Sequence, residues 1–264
     1  MAHQRTIYFS DFDQDFAESR NQDFVLPDNY DWVGGFGRKL GGFLLYPLVL
    51  AIDFVYMKFV AHISIKNKRV LKKVKGGYFL YGNHTLVFGD VVDSFLITWP
   101  TRPYLICSAA NLGIALIGSW LPAAGALPLP TNLAGMKKLS AAVSYRIKQG
   151  RAVVVYPESH MWPYYTKIRP FKDGSFHYAV ANNAPVFSAT TTFMKSKIFK
   201  RPKINIYIDG PFTSDKEGHK AQQKDLSQKV HAAMDERAKL SNVEYITYRK
   251  MAQRLDDILR YHCS

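Results

Sequence analysis

Cysteine is nearly absent, with Cys107 and Cys263 the only two in 264 residues. Two cysteines build no disulfide framework, so the fold rests on a packed core and suits a reducing compartment. Long apolar runs are missing as well. In the most apolar part, residues 33–62, the uncharged stretch 41–52 has 12 residues, where a spanning helix needs about 20. The first 31 residues are acidic and hold no apolar core of the kind a secretory leader requires, so no signal peptide is expected. There is no Gly-x-Ser-x-Gly elbow, no phosphate-cradling glycine loop with a lysine, and no cluster at metal-ligand spacing. These absences set aside an elbow hydrolase, a P-loop nucleotidase and a zinc enzyme. Cys107 and Ser108, near a strand end, read as core or loop residues.

Acidic side chains are also scarce, 21 against 35 basic ones, for a net charge of +14. The imbalance is uneven. Residues 1–31 carry seven acids (Asp11, Asp13, Asp15, Glu18, Asp23, Asp28, Asp31) against Arg5 and Arg20, leaving +19 on the rest. A basic body points to an anionic partner such as a phospholipid surface, a phosphorylated substrate or nucleic acid, or else to a merely solvated basic surface. Hydrophobic residues make up 47% and charged ones 21%, which excludes a disordered chain. The length suits one sizeable α/β domain with an appendage, or two small domains.

The chain divides into an acidic, irregular arm (1–31), an apolar helical segment (32–62) and a main domain (63–264). In the second part Pro47, Asp53 and Lys58 interrupt the apolar pattern. It reads as one or two helices in a membrane interface, with Trp32, Tyr46, Phe54 and Tyr56 at headgroup depth, or as a helix buried against the domain. Lys66, Lys68, Arg69, Lys72, Lys73 and Lys75 follow directly and suit an anionic lipid surface. From residue 77 short strands and helices alternate. Strands are expected at 78–81, 104–107, 126–129, 152–156, 185–193 and 204–208. Helices are expected at 90–98, 111–121, 135–149, 174–182 and 219–240, with a last one near 247–260. That alternation predicts a twisted, mostly parallel sheet flanked by helices.

Ligands of open α/β sheets sit beyond the carboxyl ends of the strands. Two chemically loaded segments fall there. In Gly82-Asn83-His84-Thr85-Leu86-Val87-Phe88-Gly89-Asp90, a carboxylate can fix one imidazole nitrogen and leave the other to take a proton. The alternative is a structural histidine with Asp90 as a helix cap. In Pro157-Glu158-Ser159-His160, followed by Trp162, Tyr164, Tyr165, Lys167, Arg169 and Lys172, a carboxylate for hydroxyls adjoins cations for phosphate. The alternative is a loop whose aromatics pack on the domain.

The ordered set Asn-His…Asp, an apolar strand into Pro-Glu, Pro170-Phe-Lys-x-Gly-x-Phe176 and Ala184-Pro-Val186 resembles the glycerolipid acyltransferase family. Its best-known members are 1-acylglycerol-3-phosphate acyltransferases, and the likeness runs through about residues 77–193. The acidic start and the Asn242-Val-Glu-Tyr tail resemble a Gram-positive bacterial branch. The resemblance implies His84 as general base, Asp90 as its charge partner and Glu158 as support for the acceptor. It also implies a two-helix membrane motif, a role for residues 33–62. The chain departs from the family at three points. Five residues separate His84 from Asp90 where four are usual, so Gly89 is expected to absorb one in the turn, with Asp93 as the fallback partner. Pro157-Glu158-Ser159-His160-Met161 stands for Pro-Glu-Gly-Thr-Arg, and Gly125-Ala-Leu-Pro-Leu-Pro-Thr131 lacks the arginine of the second motif. Lys167, Arg169, Lys172 and His160 are the expected substitutes at the acceptor.

The expected activity is acyl transfer to a hydroxyl of a lysophospholipid, in phospholipid biosynthesis, on the cytoplasmic face of the cell membrane. The co-substrate is an acyl-coenzyme A or acyl-carrier-protein thioester, with no other cofactor and no metal. Partners are the anionic membrane, the lysophospholipid and the acyl donor, not nucleic acid. A thioesterase or esterase on the same residues, a non-catalytic lipid-surface protein, and a nucleic-acid module using the basic run 195–203 are the rival readings.

Overall fold

A computed structural model describes residues 5–16, 23–87, 89–196 and 198–251. In chain order it contains β1 (Arg5–Phe9), α1 (Phe36–Val55), β2 (Ile63–Lys66), β3 (Tyr78–Gly82), α2 (Gly89–Thr98), β4 (Pro103–Ser108), α3 (Leu121–Ala124) and β5 (Ala126–Leu129). Then come α4 (Leu133–Lys148), β6 (Ala152–Val155), α5 (His177–Ala181), β7 (Val186–Met194), β8 (Lys203–Phe212), α6 (His219–Ala238) and β9 (Ile246–Lys250). Seven strands form the main sheet in the order β2-β8-β7-β3-β6-β4-β5. Neighbours are parallel except β7 and β8. The expected mostly parallel sheet is therefore present.

Strand alternation divides the core in two. Phe79, Tyr81, Val153 and Val155 face one layer with Leu139, Val143 and Ile147 of α4 and Leu226, Val230 and Met234 of α6. Tyr78, Leu80 and Val154 face the other, with Phe95 and Ile97 of α2. Every residue of β3 and β6 is buried, as central parallel strands covered on both faces require. Fully burying one such aromatic or aliphatic side chain contributes about 1.5–3 kcal/mol. The period-3.6 stripe of α4 starts where Asn132 Oδ1 accepts from Gly135 N at 2.7 Å and ends before Gly150, whose φ of 71° needs glycine.

Helix α1 continues through a wide turn, Tyr56–Val60, into one helical stretch. Its 25 residues, 36–60, are long and apolar enough to cross a membrane by length and composition. Asp53 does not break it, because its side chain is wholly buried and accepts from Leu96 N of α2 at 3.0 Å. Tyr46, Val49 and Leu50 pack inward. Phe36, Leu40, Phe43, Leu44, Leu48, Ile52, Val55 and Phe59 stay exposed at helical spacing, Phe43 at 73% and Leu44 at 65%.

Three expectations are corrected. The acidic arm is not wholly irregular: Arg5–Phe9 pairs in parallel with Ile246–Lys250, Arg5 opposite Ile246 and Phe9 opposite Lys250. Isoleucine, threonine and tyrosine in both segments favour a strand, a signal hidden by the acidic composition. The same pairing replaces the start of the helix expected near 247–260, whose remainder lies outside the described residues, as do Glu18, Arg20 and Cys263. Residues 111–121 are not one helix. A short turn of helix, Ala109–Gly113, gives way to bends before α3. Gly118 lies so close to the Leu112 carbonyl that a Cβ there would sit 2.1 Å from its oxygen.

Candidate active site

The end of β3 and the end of β6 are neighbours, with Tyr81 opposite Val155. Residues 83–90 and 156–160 therefore emerge side by side. Asn83 leaves the sheet first and ties the loop to β7. Its Nδ2 donates to Thr191 O at 3.1 Å and its Oδ1 accepts from Thr191 N at 2.8 Å.

His84 then turns back over the start of α2. Its Nδ1 lies 2.8 Å from Asp90 Oδ2. The same oxygen accepts from Thr85 N at 2.7 Å and Leu86 N at 2.9 Å. Because this oxygen already accepts from two amides, Nδ1 is the nitrogen that carries the hydrogen, and Nε2 keeps a lone pair. Asp90 is 5% exposed, whereas the His84 side chain keeps 17% of its surface. The five-residue spacing closes the pair as expected. Gly89 contributes by its size rather than by a left-handed φ, since a Cβ there would lie 2.7 Å from Asp93 Oδ2 and 2.8 Å from Leu86 Cδ1.

Asp93, the fallback partner, points elsewhere. It is buried in the protein facing Asp53 of α1. Burial, the Asp53 carboxyl and the Asp90 carboxylate push it up to about 9. A protonated Asp93 can donate to Asp53, which couples α1 to the helix that carries Asp90.

Glu158 lies behind the histidine. Its Oε2 accepts from His84 N at 3.1 Å and from Arg169 Nη2 at 2.8 Å, and its Oε1 accepts from Arg169 N at 2.9 Å. Both side chains of this ion pair are almost wholly buried, and the Arg169 guanidinium lies 5.0 Å from the Trp162 ring centroid. Glu158 and Arg169 thus face each other and hold the histidine loop, rather than both facing solvent. The loop is fixed again by Trp162 N donating to His84 O at 3.1 Å and Tyr164 N to Thr85 O at 2.9 Å. Ser159 adopts φ 66°, a left-handed conformation at the position where the resembled motif has glycine.

The other expected acceptor residues meet the acidic arm. Lys172 Nζ is 2.5 Å from Asp13 Oδ1 and His160 Nδ1 is 3.7 Å from Asp15 Oδ2. The arm is seated by Trp162, whose Nε1 donates to Gln14 O at 2.7 Å and whose ring packs on Phe9, Phe12 and Phe16. Lys167 is exposed on the same loop.

Sequence reasoning missed Tyr156. Its ring stacks on His84 at 4.6 Å between centroids, and its hydroxyl donates to the Asp90 carbonyl. Burial first, then Asp90 and Asp93, raises its phenol far above the ordinary range, so it remains a donor. Gly82 makes the overlap possible, since a Cβ there would lie 2.6 Å from the Tyr156 ring. An aromatic just before Pro157-Glu158 at a strand end was the available signal. Burial pushes the Cys107 thiol up to about 12, which leaves it inert.

The sequence model of the family described as acyltransferase matches residues 62–192, which include His84, Asp90, Glu158 and Arg169. Among solved structures the chain is similar to the 1-acyl-sn-glycerophosphate (LPA) acyltransferase PlsC from Thermotoga maritima. The identity is 15%, the TM-score is 0.49, and the match covers 75% of this chain and 97% of that one. No curated protein sequence matches.

Proposed function

Because this chain belongs to the acyltransferase family through residues 62–192, we propose that it moves a fatty acyl group from a thioester to a hydroxyl of a lysophospholipid. The first candidate acceptor is 1-acylglycerol-3-phosphate. The observation that carries this reading is the 2.8 Å His84–Asp90 contact, which leaves Nε2 as the basic nitrogen beyond the strand ends.

The acceptor hydroxyl is too weak an acid to ionise alone. Its oxygen attacks the thioester carbonyl carbon while its proton passes to His84 Nε2. Asp90 holds the ring and stabilises the imidazolium. The carbonyl electrons return, the C–S bond breaks, and the departing thiolate takes the proton from the imidazolium. The enzyme is unchanged at the end, and no acyl-enzyme forms. Glu158 and Arg169 act by position, holding the backbone amide of His84 at its place. Lys167, Lys172 and His160 line the acceptor side. For the last two, an anionic acceptor competes with Asp13 and Asp15.

The exposed stripe of α1 supports a monotopic seat on the membrane, on its cytoplasmic face, with the basic segment 66–75 against anionic headgroups. The donor is an acyl-coenzyme A or acyl-carrier-protein thioester. The test is thiol release from acyl-coenzyme A on anionic vesicles, with and without lysophosphatidic acid. Release that requires the lysolipid supports the proposal. Equal release without it makes the protein a thioesterase and refutes transfer.

A further inference from the structure

At the opposite end of the sheet lies a cleft of about 270 Å³, outside the site described above. It opens where β4 and β6 begin, next to Arg102 and Arg151, whereas His84 follows the end of β3. A strand of four residues, roughly 13 Å, separates the two levels. Arg38 and Lys39 of α1, Arg102, Arg146 of α4 and Arg151 line the cleft, and no carboxylate does. Among the described residues none of these five cations is in a salt bridge. The nearby carboxylate that feels Arg38 and Arg146 is Asp31, which does not line the cleft and whose Oδ1 accepts from the amides of Val33 and Gly34 at 2.9 and 3.0 Å.

Two of the cations are held in place before any ligand arrives. Arg146 is only 6% exposed, and its guanidinium lies 4.3 Å from the Tyr104 ring centroid and 5.1 Å from that of Tyr145. It donates to the Val33 carbonyl and to Gln149 Oε1, while its Nε has no hydrogen-bond partner among the described residues. Arg102 donates to Ala123 O at 2.5 Å, and its Nε is likewise unpartnered. Burying unpaired guanidinium groups beside one another is unfavourable. Burial lowers the Arg146 pKa; Tyr104 and Tyr145 oppose it, and the neighbouring Arg102 and Arg151 add a further, lesser lowering. A bound anion with several acceptor oxygens relieves both the repulsion and the unmet donors.

We propose that the cleft bounded by Arg38, Lys39, Arg102, Arg146 and Arg151 is a second anion site, which takes the phosphate of a membrane lipid headgroup away from the catalytic histidine. The shared chemistry is a phosphate group, and the lipid is chosen as its source for two reasons. Phe43 lines the cleft and also belongs to the exposed apolar stripe of α1, so the opening adjoins the surface that fits acyl chains. The volume lies just under the roughly 300–1,000 Å³ of sites that enclose drug-sized ligands, so it suits a headgroup and leaves the chains outside. The site docks the amino-terminal end of α1 to lipid, while the basic segment 66–75 acts as a diffuse surface.

The experiment is melting of the detergent-solubilised full chain, followed by tryptophan fluorescence, during titration with dihexanoyl-phosphatidylglycerol. Parallel titrations use dihexanoyl-phosphatidylcholine and inorganic phosphate. The expected result is a saturable rise of about 5 °C with the anionic lipid only. It is lost in the double variant Arg38→Gln/Arg151→Gln and retained in Lys72→Gln/Lys73→Gln. Thiol release in zwitterionic micelles stays unchanged in the cleft variant, so failure here is separate from failure of the acyltransferase reading. An equal rise with millimolar inorganic phosphate overturns the lipid assignment. Retention of the rise in the Arg38/Arg151 variant, or equal loss in the Lys72/Lys73 variant, overturns the site.

Discussion

Asp90→Asn isolates the charge of Asp90 from its geometry. All three donors, His84 Nδ1, Thr85 N and Leu86 N, meet one oxygen, Oδ2, at 2.7–2.9 Å. An amide oxygen in that place keeps the three contacts and removes the negative charge. The lower bound of the loss is the difference between a charge-assisted and a neutral hydrogen bond, about 1–2 kcal/mol. The upper bound is the attraction between an imidazolium and a carboxylate 2.8 Å apart, about 6 kcal/mol at an effective dielectric of ~20. The variant should therefore lose about 10²–10⁴ in kcat, near the middle and upper part of that range. KM for the thioester should change little, because Asp90 is buried behind the ring. The assay is steady-state thiol release with lysolipid, beside urea unfolding to show a native fold. An Asp90→Asn variant that keeps more than a tenth of wild-type kcat would rule out this role for the Asp90 charge, most clearly so if Asp93→Asn is dead.

Further outcomes follow from neighbouring groups. Glu158→Gln leaves Arg169 buried without its counter-charge, so stability should fall by about 3–5 kcal/mol in urea titrations, with activity lost as the His84 backbone is released. No change in either would mean that the buried pair does not hold the loop. Asp93 titrates near 9 in the folded protein against about 3.9 unfolded. Its contribution to stability is therefore fully present below about pH 4 and is lost as pH rises toward 9. Asp93→Asn should flatten that decline, and a decline of unchanged slope would contradict the assignment. Leu44→Glu/Leu48→Glu removes two exposed apolar side chains from α1. Each insertion is worth roughly 1.5–3 kcal/mol, so vesicle co-sedimentation should weaken at least tenfold while the soluble fold persists. Binding equal to wild type would place the membrane face elsewhere.

Much of this was legible in the sequence because its signals are local. Four consecutive apolar residues before Tyr156-Pro157 marked a buried strand, and the 3.6 period of residues 135–149 marked α4. His84 and Asp90 sit on one short loop, so their pairing needed only a turn. What escaped depends on contacts distant in sequence. β1 and β9 are about 240 residues apart, and neither has a hydrophobic face that announces a partner. Asp53 looked like an interruption of an apolar helix because its neighbour, Asp93, lies on another element. Lys172 and His160 read as acceptor-binding groups without partners because Asp13 and Asp15, which they meet, belong to an arm whose composition suggested an irregular segment. The five cations of the basal cleft come from four segments of chain, and no linear motif joins them.

The most direct test of the central claim uses a radiolabelled acyl-coenzyme A and lysophosphatidic acid on vesicles, with lipid products separated for wild type and His84→Ala. Wild type should give labelled phosphatidic acid in amounts equal to the thiol released. His84→Ala should give none, with vesicle binding unchanged. Labelled free fatty acid in place of labelled phospholipid, or full product from His84→Ala, would contradict acyl transfer by His84.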